Sequence, residues 1–196
     1  MLHEQWKKGN EVAALIEQKI LPVISDWKMF EKFMRMPQEW CVLMGFHVNF
    51  MEELIERLHE QGKKGIVHMD LLKGIQNDQF GTQFVCQKLH ADGIISTRPK
   101  AIQTAKQNHC VTILRVFMID SRSILRDGTL ANTIQPDYVE ILPAVIPGAV
   151  ELLHAYCDIP VIGGGLIRDR IDIENCMKQG MVAITTSNLS FCDKED

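Results

Sequence analysis

Two short stretches near the end of the chain have residue types suited to holding an anion. One reads Gly-Gly-Gly at 163–165 and the other Thr-Thr-Ser-Asn at 185–188, and each follows an apolar run. Glycines have no Cβ, so a ligand can approach their backbone closely. Exposed amides and hydroxyl groups favour a phosphate without needing a lysine. We therefore predict a phosphate site at Gly163, Gly164, Gly165, Thr186 and Ser187; a tight turn is the simpler explanation of the three glycines.

Charged residues interrupt two apolar, strand-like runs. Arg115 lies within 111–119, and Glu140 lies between Val139 and Ile141. Burying a charge in such a run is costly unless a partner neutralises it, so a pair of Arg115 with a carboxylate is expected. The pair would either fill the core, or Arg115 would help to hold an anion while Glu140 accepts hydrogen bonds from ligand hydroxyl groups.

Two further runs end in polar residues. His68-Met69-Asp70 ends one, and Ser96-Thr97-Arg98 ends another. Residues two apart on a strand face the same way, so the imidazole and the carboxylate are predicted to share a face. They could bind a ligand, satisfy each other in the core, or act as general acid and base. The candidates for binding an anionic ligand and its hydroxyl groups are thus His68, Asp70, Arg98, Arg115 and Glu140.

Metal and cofactor signatures do not emerge from the sequence. The six cysteines are scattered without a Cys-x-x-Cys pair, and the histidines lack metal-ligand spacing. Nucleophile-elbow, Walker and zinc motifs do not occur either. We therefore predict no metal and no cofactor, and assign no catalytic residue.

These candidate residues need elements that bring them together. Eight strands are predicted at 20–24, 41–46, 64–70, 92–97, 111–119, 138–142, 160–163 and 181–186. Helices are predicted between them at 27–35, 50–61, 79–89, 100–108, 122–133, 148–157 and 170–179. This alternation predicts a compact single-domain (β/α)8 TIM-type barrel, whose strands end at one face. An open doubly wound sheet would have its glycine signature after the first strand.

The first strand is the weakest of the eight predictions. It contains Pro22, which lacks an N–H group and suits a strand edge better than a closed barrel. Before it, residues 1–19 show apolar residues at helical spacing, which predicts an N-terminal helical extension. The domain organisation is therefore an extension at 1–19 and a barrel domain at 20–196.

Composition and charge narrow the class of protein. The chain has 196 residues, 46% of them hydrophobic, and a net charge of −4. It lacks a signal peptide and an apolar stretch of membrane-spanning length, so a cytoplasmic protein with reduced cysteines is expected. Possible RNA contacts are the basic residues of the fourth and fifth helices, Lys100, Lys106, Arg122 and Arg126. A solvated surface is the simpler explanation, and no aromatic side chain is expected nearby to stack on bases.

Ten short motifs occur in order along the chain. They are His68–Gly74, Asn77-Asp78, Asp92–Arg98, Ala105–Gln107, Arg115–Phe117, Ile119–Ser121, Gln135–Asp137, Glu140–Pro143, Gly164–Ile167 and Thr185–Ser187. Together they resemble the glycerol uptake operon antiterminator family, the glycerol-3-phosphate-responsive antiterminators. The resemblance implies a non-enzymatic barrel that binds glycerol-3-phosphate and then acts on the leader mRNA of glycerol-utilisation genes to prevent premature termination.

The sequence departs from the family pattern at several positions. Pro99-Lys100 replaces a usual Gly-Asn, Ala144 replaces a glycine, and Met69 replaces a small residue. An alternative is a TIM-barrel enzyme of the isomerase or lyase type, acting on a small phosphorylated metabolite through His68, Asp70 and Glu140. Against a Schiff-base enzyme, no predicted strand ends in a suitably placed lysine. A third hypothesis is a ligand-binding barrel that contacts a protein through its N-terminal helix. The sequence is also compatible with a homo-oligomer.

Overall fold

The computed structural model describes residues 17–192. Eight parallel strands form a closed barrel in chain order, with β8 paired to β1. The strands are β1 (Ile20–Ile24), β2 (Trp40–Leu43), β3 (Lys64–His68), β4 (Gly93–Ser96), β5 (Val111–Phe117), β6 (Tyr138–Leu142), β7 (Val161–Gly164) and β8 (Ala183–Thr186). The predicted (β/α)8 barrel is confirmed. The predicted extension at 1–19 lies mostly outside the described residues and stays a prediction.

Seven α-helices connect the strands. They are α1 (Trp27–Met34), α2 (Met51–Glu60), α3 (Gln79–Gln87), α4 (Pro99–Gln107), α5 (Ser121–Ile134), α6 (Ala149–His154) and α7 (Arg170–Lys178). Each overlaps its predicted range, with ends that differ by up to three residues. Strand β8 leads into a 3-10 helix, Leu189–Cys192. No helix in the described part of the chain is long and apolar enough to cross a membrane.

Several strands end earlier than predicted. The strands predicted at 41–46, 64–70 and 111–119 end at Leu43, His68 and Phe117. Asp70 consequently lies in a 3-10 helix, Met69–Leu71, so its predicted place on a strand face beside His68 was wrong. These strands were predicted too long because apolar residues after the last paired position, such as Phe46, Met69 and Met118, are buried in the loops above the barrel.

Pro22 is part of the closed barrel. Ile24 is paired with Leu43, and Met44 N donates to Ile24 O. Parallel pairing repeats every two residues, so a backbone N–H at position 22 would donate to Trp40 O. Proline cannot make that bond. Instead Gln18 Nε2 donates to Trp40 O at 2.7 Å, while Gln18 Oε1 accepts from Trp40 N at 2.8 Å. A side chain thus replaces the missing backbone donor.

Apolar residues form two layers. Inward-facing side chains fill the barrel, among them Leu21, Trp40, Ile113 and Tyr138. Two larger clusters lie between strands and helices. The six cysteines are all buried and reduced. These layers hold the strand ends in fixed relative positions, which is what a site at those ends requires.

Candidate functional site

The last inward-facing positions of several strands are polar. Two residues after Ile113, Tyr138 and Ala183, which face the barrel interior, come Arg115, Glu140 and Thr185. His68 follows Ile66 on β3 in the same way. We call His68, Arg115, Glu140 and Thr185 the polar layer. It closes the barrel core at the carboxyl ends of the strands.

Arg115 is the centre of the polar layer. Its Nε donates to Glu140 Oε2, and its Nη1 donates to His68 Nε2. Thr185 Oγ1 donates to Glu140 Oε1 at 2.6 Å. Glu140 is fully buried, and the Arg115 side chain is 11% exposed. The predicted pairing of Arg115 with a carboxylate is therefore present, with Glu140 as its partner.

His68 is neutral in this setting. An arginine N–H can only donate, so His68 Nε2 must be the acceptor and the proton must be on Nδ1. Burial first, and the nearby Arg115 charge second, lower the pKa of His68 from 6.5 to about 4. Nδ1 has no hydrogen-bond partner among the described residues and lies 3.7 Å from Asp70 Oδ2. Arg115 thus occupies the nitrogen that a general base would use.

A cavity of about 240 Å³ opens above the polar layer at the ends of β7 and β8. Four of the predicted ligand residues line it: Arg115, Gly165, Thr186 and Ser187. Gly165 has a φ of 73°, which a residue with a side chain would adopt only with strain. Thr185 of the polar layer also lines the cavity, and its apolar walls are Val23, Met44, Leu142, Leu166 and Ile167.

The other two predicted glycines lie behind the cavity wall. A Cβ on Gly163 would lie 2.8 Å from Ala144 Cβ, in the layer between strands and helices. A Cβ on Gly164 would lie 2.5 Å from Thr185 Oγ1 and 2.9 Å from Glu140 Oε1. Gly163 therefore allows close packing, and Gly164 makes room for the hydrogen bond between Thr185 and Glu140.

Asp70 and Arg98 join two loops near the polar layer. Asp70 Oδ1 accepts from Asn77 Nδ2 at 2.9 Å, and Asp70 Oδ2 accepts from Thr97 N at 2.9 Å. Thr97 Oγ1 also donates to Asp70, at 2.8 Å. Arg98 Nη1 donates to Asn77 O at 2.8 Å. These contacts tie the loop before α3 to the loop before α4, and neither Asp70 nor Arg98 lines the 240 Å³ cavity.

The predicted RNA-contact residues differ in their surroundings. Lys106 Nζ donates to Ile134 O and Gln135 O, where it caps the end of α5. Arg126 is paired with Asp127. Lys100 and Arg122 are exposed. The expectation that no aromatic side chain lies nearby was wrong, because Phe117 is 45% exposed and lines a groove together with Arg126.

Sequence reasoning left out Thr185 and Asn77 as site residues. Thr185 could have been found because it lies two residues after Ala183 and so faces inward like the other members of the layer. Asn77 had no such signal, since only folding brings its loop to Asp70. Residues 17–192 contain no group of three or more His, Cys, Asp or Glu side chains that could hold a metal ion.

The fold and its cavity define a (β/α)8 barrel with a small, partly polar cavity at the ends of β7 and β8. Residues 20–191 match the family model described as glycerol-3-phosphate responsive antiterminator, and the chain belongs to this family. A curated relative, the uncharacterised protein YgcP of Escherichia coli K12, is 32% identical over 70% of this chain and 72% of its own.

Solved structures agree with this assignment. A glycerol uptake operon antiterminator regulatory protein from Listeria monocytogenes is 37% identical, with a TM-score of 0.83 over 87% of this chain and 92% of its own. A glycerol uptake operon antiterminator-related protein from Thermotoga maritima is 26% identical, with a TM-score of 0.78 over 89% of this chain and 98% of its own. A putative deoxyribose-phosphate aldolase from Coccidioides immitis is 12% identical, with a TM-score of 0.68 over 90% and 83%; it shares the fold alone.

Proposed function

We propose that this protein binds glycerol-3-phosphate in the 240 Å³ cavity and, when loaded, binds the leader mRNA of glycerol-utilisation genes in the cytoplasm to prevent premature termination. The observation that carries the ligand assignment is the cavity lining. Arg115 offers a positive charge, while Gly165 and Ser187 offer backbone amides and a hydroxyl group. Family membership supports the RNA part of the proposal.

The size of the cavity suits a small metabolite. Pockets for drug-sized ligands measure about 300–1,000 Å³. This cavity is smaller, and its apolar residues Val23, Met44 and Leu142 can contact a short carbon chain. Phosphate would be placed by the residues after β7 and β8, as in many barrels of this type. A three-carbon phosphorylated polyol meets these requirements.

Buried hydrogen bonding supports binding rather than the alternative of acid–base catalysis. Glu140 is fully buried, and its two oxygens accept from Arg115 and Thr185. His68 is 2% exposed, and its Nε2 accepts from Arg115. Neither residue lines the 240 Å³ cavity. A ligand there would meet Arg115 first, and the imidazole and carboxylate proposed for catalysis would remain behind it.

Thermal unfolding with different ligands tests the assignment. Glycerol-3-phosphate should raise the melting temperature and glycerol should not; at about a hundred times the dissociation constant the stabilisation is about 2.7 kcal/mol. Ser187→Asp should abolish the effect because its carboxylate repels phosphate. Ser187→Asn adds a similar volume without charge and should retain it. Equal stabilisation by glycerol, or none by glycerol-3-phosphate, would rule out this ligand.

A further inference from the structure

We propose that the groove between α3 and α4 is the surface that binds single-stranded RNA; this inference rests on the RNA-binding part of the proposed function. The groove has a volume of about 330 Å³. Glutamines 79, 83 and 87, one helical turn apart, line the α3 side, and Lys100, Gln107 and Asn108 line the α4 side. The described residues that line it include no carboxylate.

The charge distribution makes this face complementary to a phosphate backbone. The two helices with the residue that caps α3 and the loop between them, 78–108, contain four lysine or arginine side chains and two carboxylates, Asp78 and Asp92, for a net charge of +2. The whole chain has a net charge of −4. Asp92 is engaged elsewhere, accepting from Gly65 N at 2.8 Å and contacting His59. Asp78 accepts from backbone N–H groups at the start of α3, so the α3–α4 segment is net positive on an acidic protein and favours a polyanion.

Side chains in the groove can recognise unpaired bases. Gln83 Nε2 donates to Gln87 Oε1 at 3.2 Å, and Gln87 Nε2 donates to Asn108 Oδ1 at 2.8 Å. Each of these amides has further donors and acceptors, which match the hydrogen-bonding edges of bases. Phe80, on the first turn of α3, is 72% exposed and offers a stacking surface. Amides, an aromatic ring and Lys100 together are typical of single-strand recognition.

The α4–α5 surface suggested by the sequence is less suitable. Lys106 caps the carbonyl groups at the end of α5, and Arg126 is neutralised by Asp127. Asp120, at the start of α5, adds a second carboxylate. Lys100 keeps its exposed charge, and it faces the groove with α3.

The test uses the intact protein, glycerol-3-phosphate and the labelled leader transcript of the host glycerol-utilisation operon. Two variants probe the groove itself, Lys100→Ala and Gln83→Glu, and a third, Phe80→Ala, probes the exposed ring next to Gln79. Phe80→Ala should weaken binding about 5- to 150-fold, the effect of losing one base stack. Lys100→Ala should make the negative slope of log affinity against log salt shallower by about 0.7, the effect of losing one phosphate contact on a single strand.

Matched controls lie on α7, across the barrel. Lys178→Ala removes an exposed lysine, and Asn175→Asp adds a carboxylate in place of an amide, as Gln83→Glu does in the groove. Both controls should bind RNA almost as the wild type does, and all variants should keep the wild-type response to glycerol-3-phosphate in thermal unfolding.

The outcomes separate this inference from the proposed function. If the wild type binds RNA and the groove variants bind no more weakly than the α7 controls, the groove assignment is wrong and the function stands. If the wild type does not bind the transcript, the RNA part of the function fails, and this inference with it. If Phe80→Ala changes the sedimentation coefficient and leaves RNA binding intact, the groove is a contact between protein molecules, and the proposal is overturned.

Discussion

At the scale of single residues, the polar layer is a balance of buried charges. Arg115 compensates Glu140 and also donates to a neutral His68. The sequence predicted the first contact because Arg115 and Glu140 interrupt successive strands and a buried charge needs a partner; the structure pairs them in register. It could not predict the second, because β4 separates β3 from β5 and the contact depends on the barrel's curvature.

The buried imidazole makes stability depend on pH. The folded-state pKa of His68 is about 4, below its ordinary value of 6.5. As the pH falls from 6.5 to 4, the unfolded chain binds a proton that the folded protein does not. The free energy of unfolding should therefore drop by up to about 1.4 kcal/mol per pH unit in this window. Above pH 6.5 this contribution should be constant.

Urea unfolding at several pH values between 7 and 4 checks this expectation. His68→Gln keeps an acceptor for Arg115 but does not titrate, so the stability difference between wild type and variant should change across the window. Carboxylates elsewhere affect both proteins equally and cancel. Parallel stability curves would show that His68 is not the titrating group.

Charge compensation within the layer can be measured with a double-mutant cycle. Arg115→Met leaves the fully buried Glu140 without its cation and should cost about 3–5 kcal/mol of unfolding free energy. Glu140→Gln in the Arg115→Met background removes the uncompensated charge. The double variant should therefore lose clearly less unfolding free energy than the two single variants lose together. Additive losses in chemical denaturation would mean that the two side chains do not depend on each other.

At the scale of elements, local chemistry predicted helices better than strand ends. The helix bounds depend on local contacts: Asp26 and Asp78 accept from backbone N–H groups at the starts of α1 and α3. Strand ends depend on pairing with distant segments, so 64–70 was predicted too long and Asp70 was misplaced. The phosphate site was predicted from two strand ends, but only folding shows that Gly165 lines the cavity and Gly163 does not.

Pairing of β1 with β2 gives a prediction at this scale. Gln18→Ala should destabilise the protein by about 1–2 kcal/mol because it leaves Trp40 O without its donor. Pro22→Val in the same background restores a backbone N–H directed at that oxygen, and should recover part of the loss. Pro22→Val alone should recover nothing, since Gln18 already occupies the acceptor. Equal effects of Pro22→Val in both backgrounds, measured by urea unfolding, would refute this role for Gln18.

At the scale of the whole molecule, Asp70 lies between the proposed ligand cavity and the α3–α4 groove. Arg115 lines the cavity and contacts His68, and His68 Nδ1 lies 3.7 Å from Asp70. Asp70 in turn accepts from Asn77 and Thr97, which precede α3 and α4. A phosphate that attracts the Arg115 guanidinium would alter its contact with His68, and this change can reach both helix starts through Asp70.

Asp70→Asn tests this connection because it replaces an acceptor of four hydrogen bonds with a side chain that is partly a donor. If the ligand tightens RNA binding, RNA must tighten ligand binding by the same factor, typically about 5- to 150-fold. In Asp70→Asn both factors should fall towards one, while ligand affinity without RNA should stay near the wild-type value because Asp70 does not line the cavity. Calorimetry for the ligand and anisotropy for RNA measure both factors. Asp26→Asn, the same change at the start of α1, should leave both factors unchanged. A wild-type factor in Asp70→Asn would mean that the two sites communicate by another route.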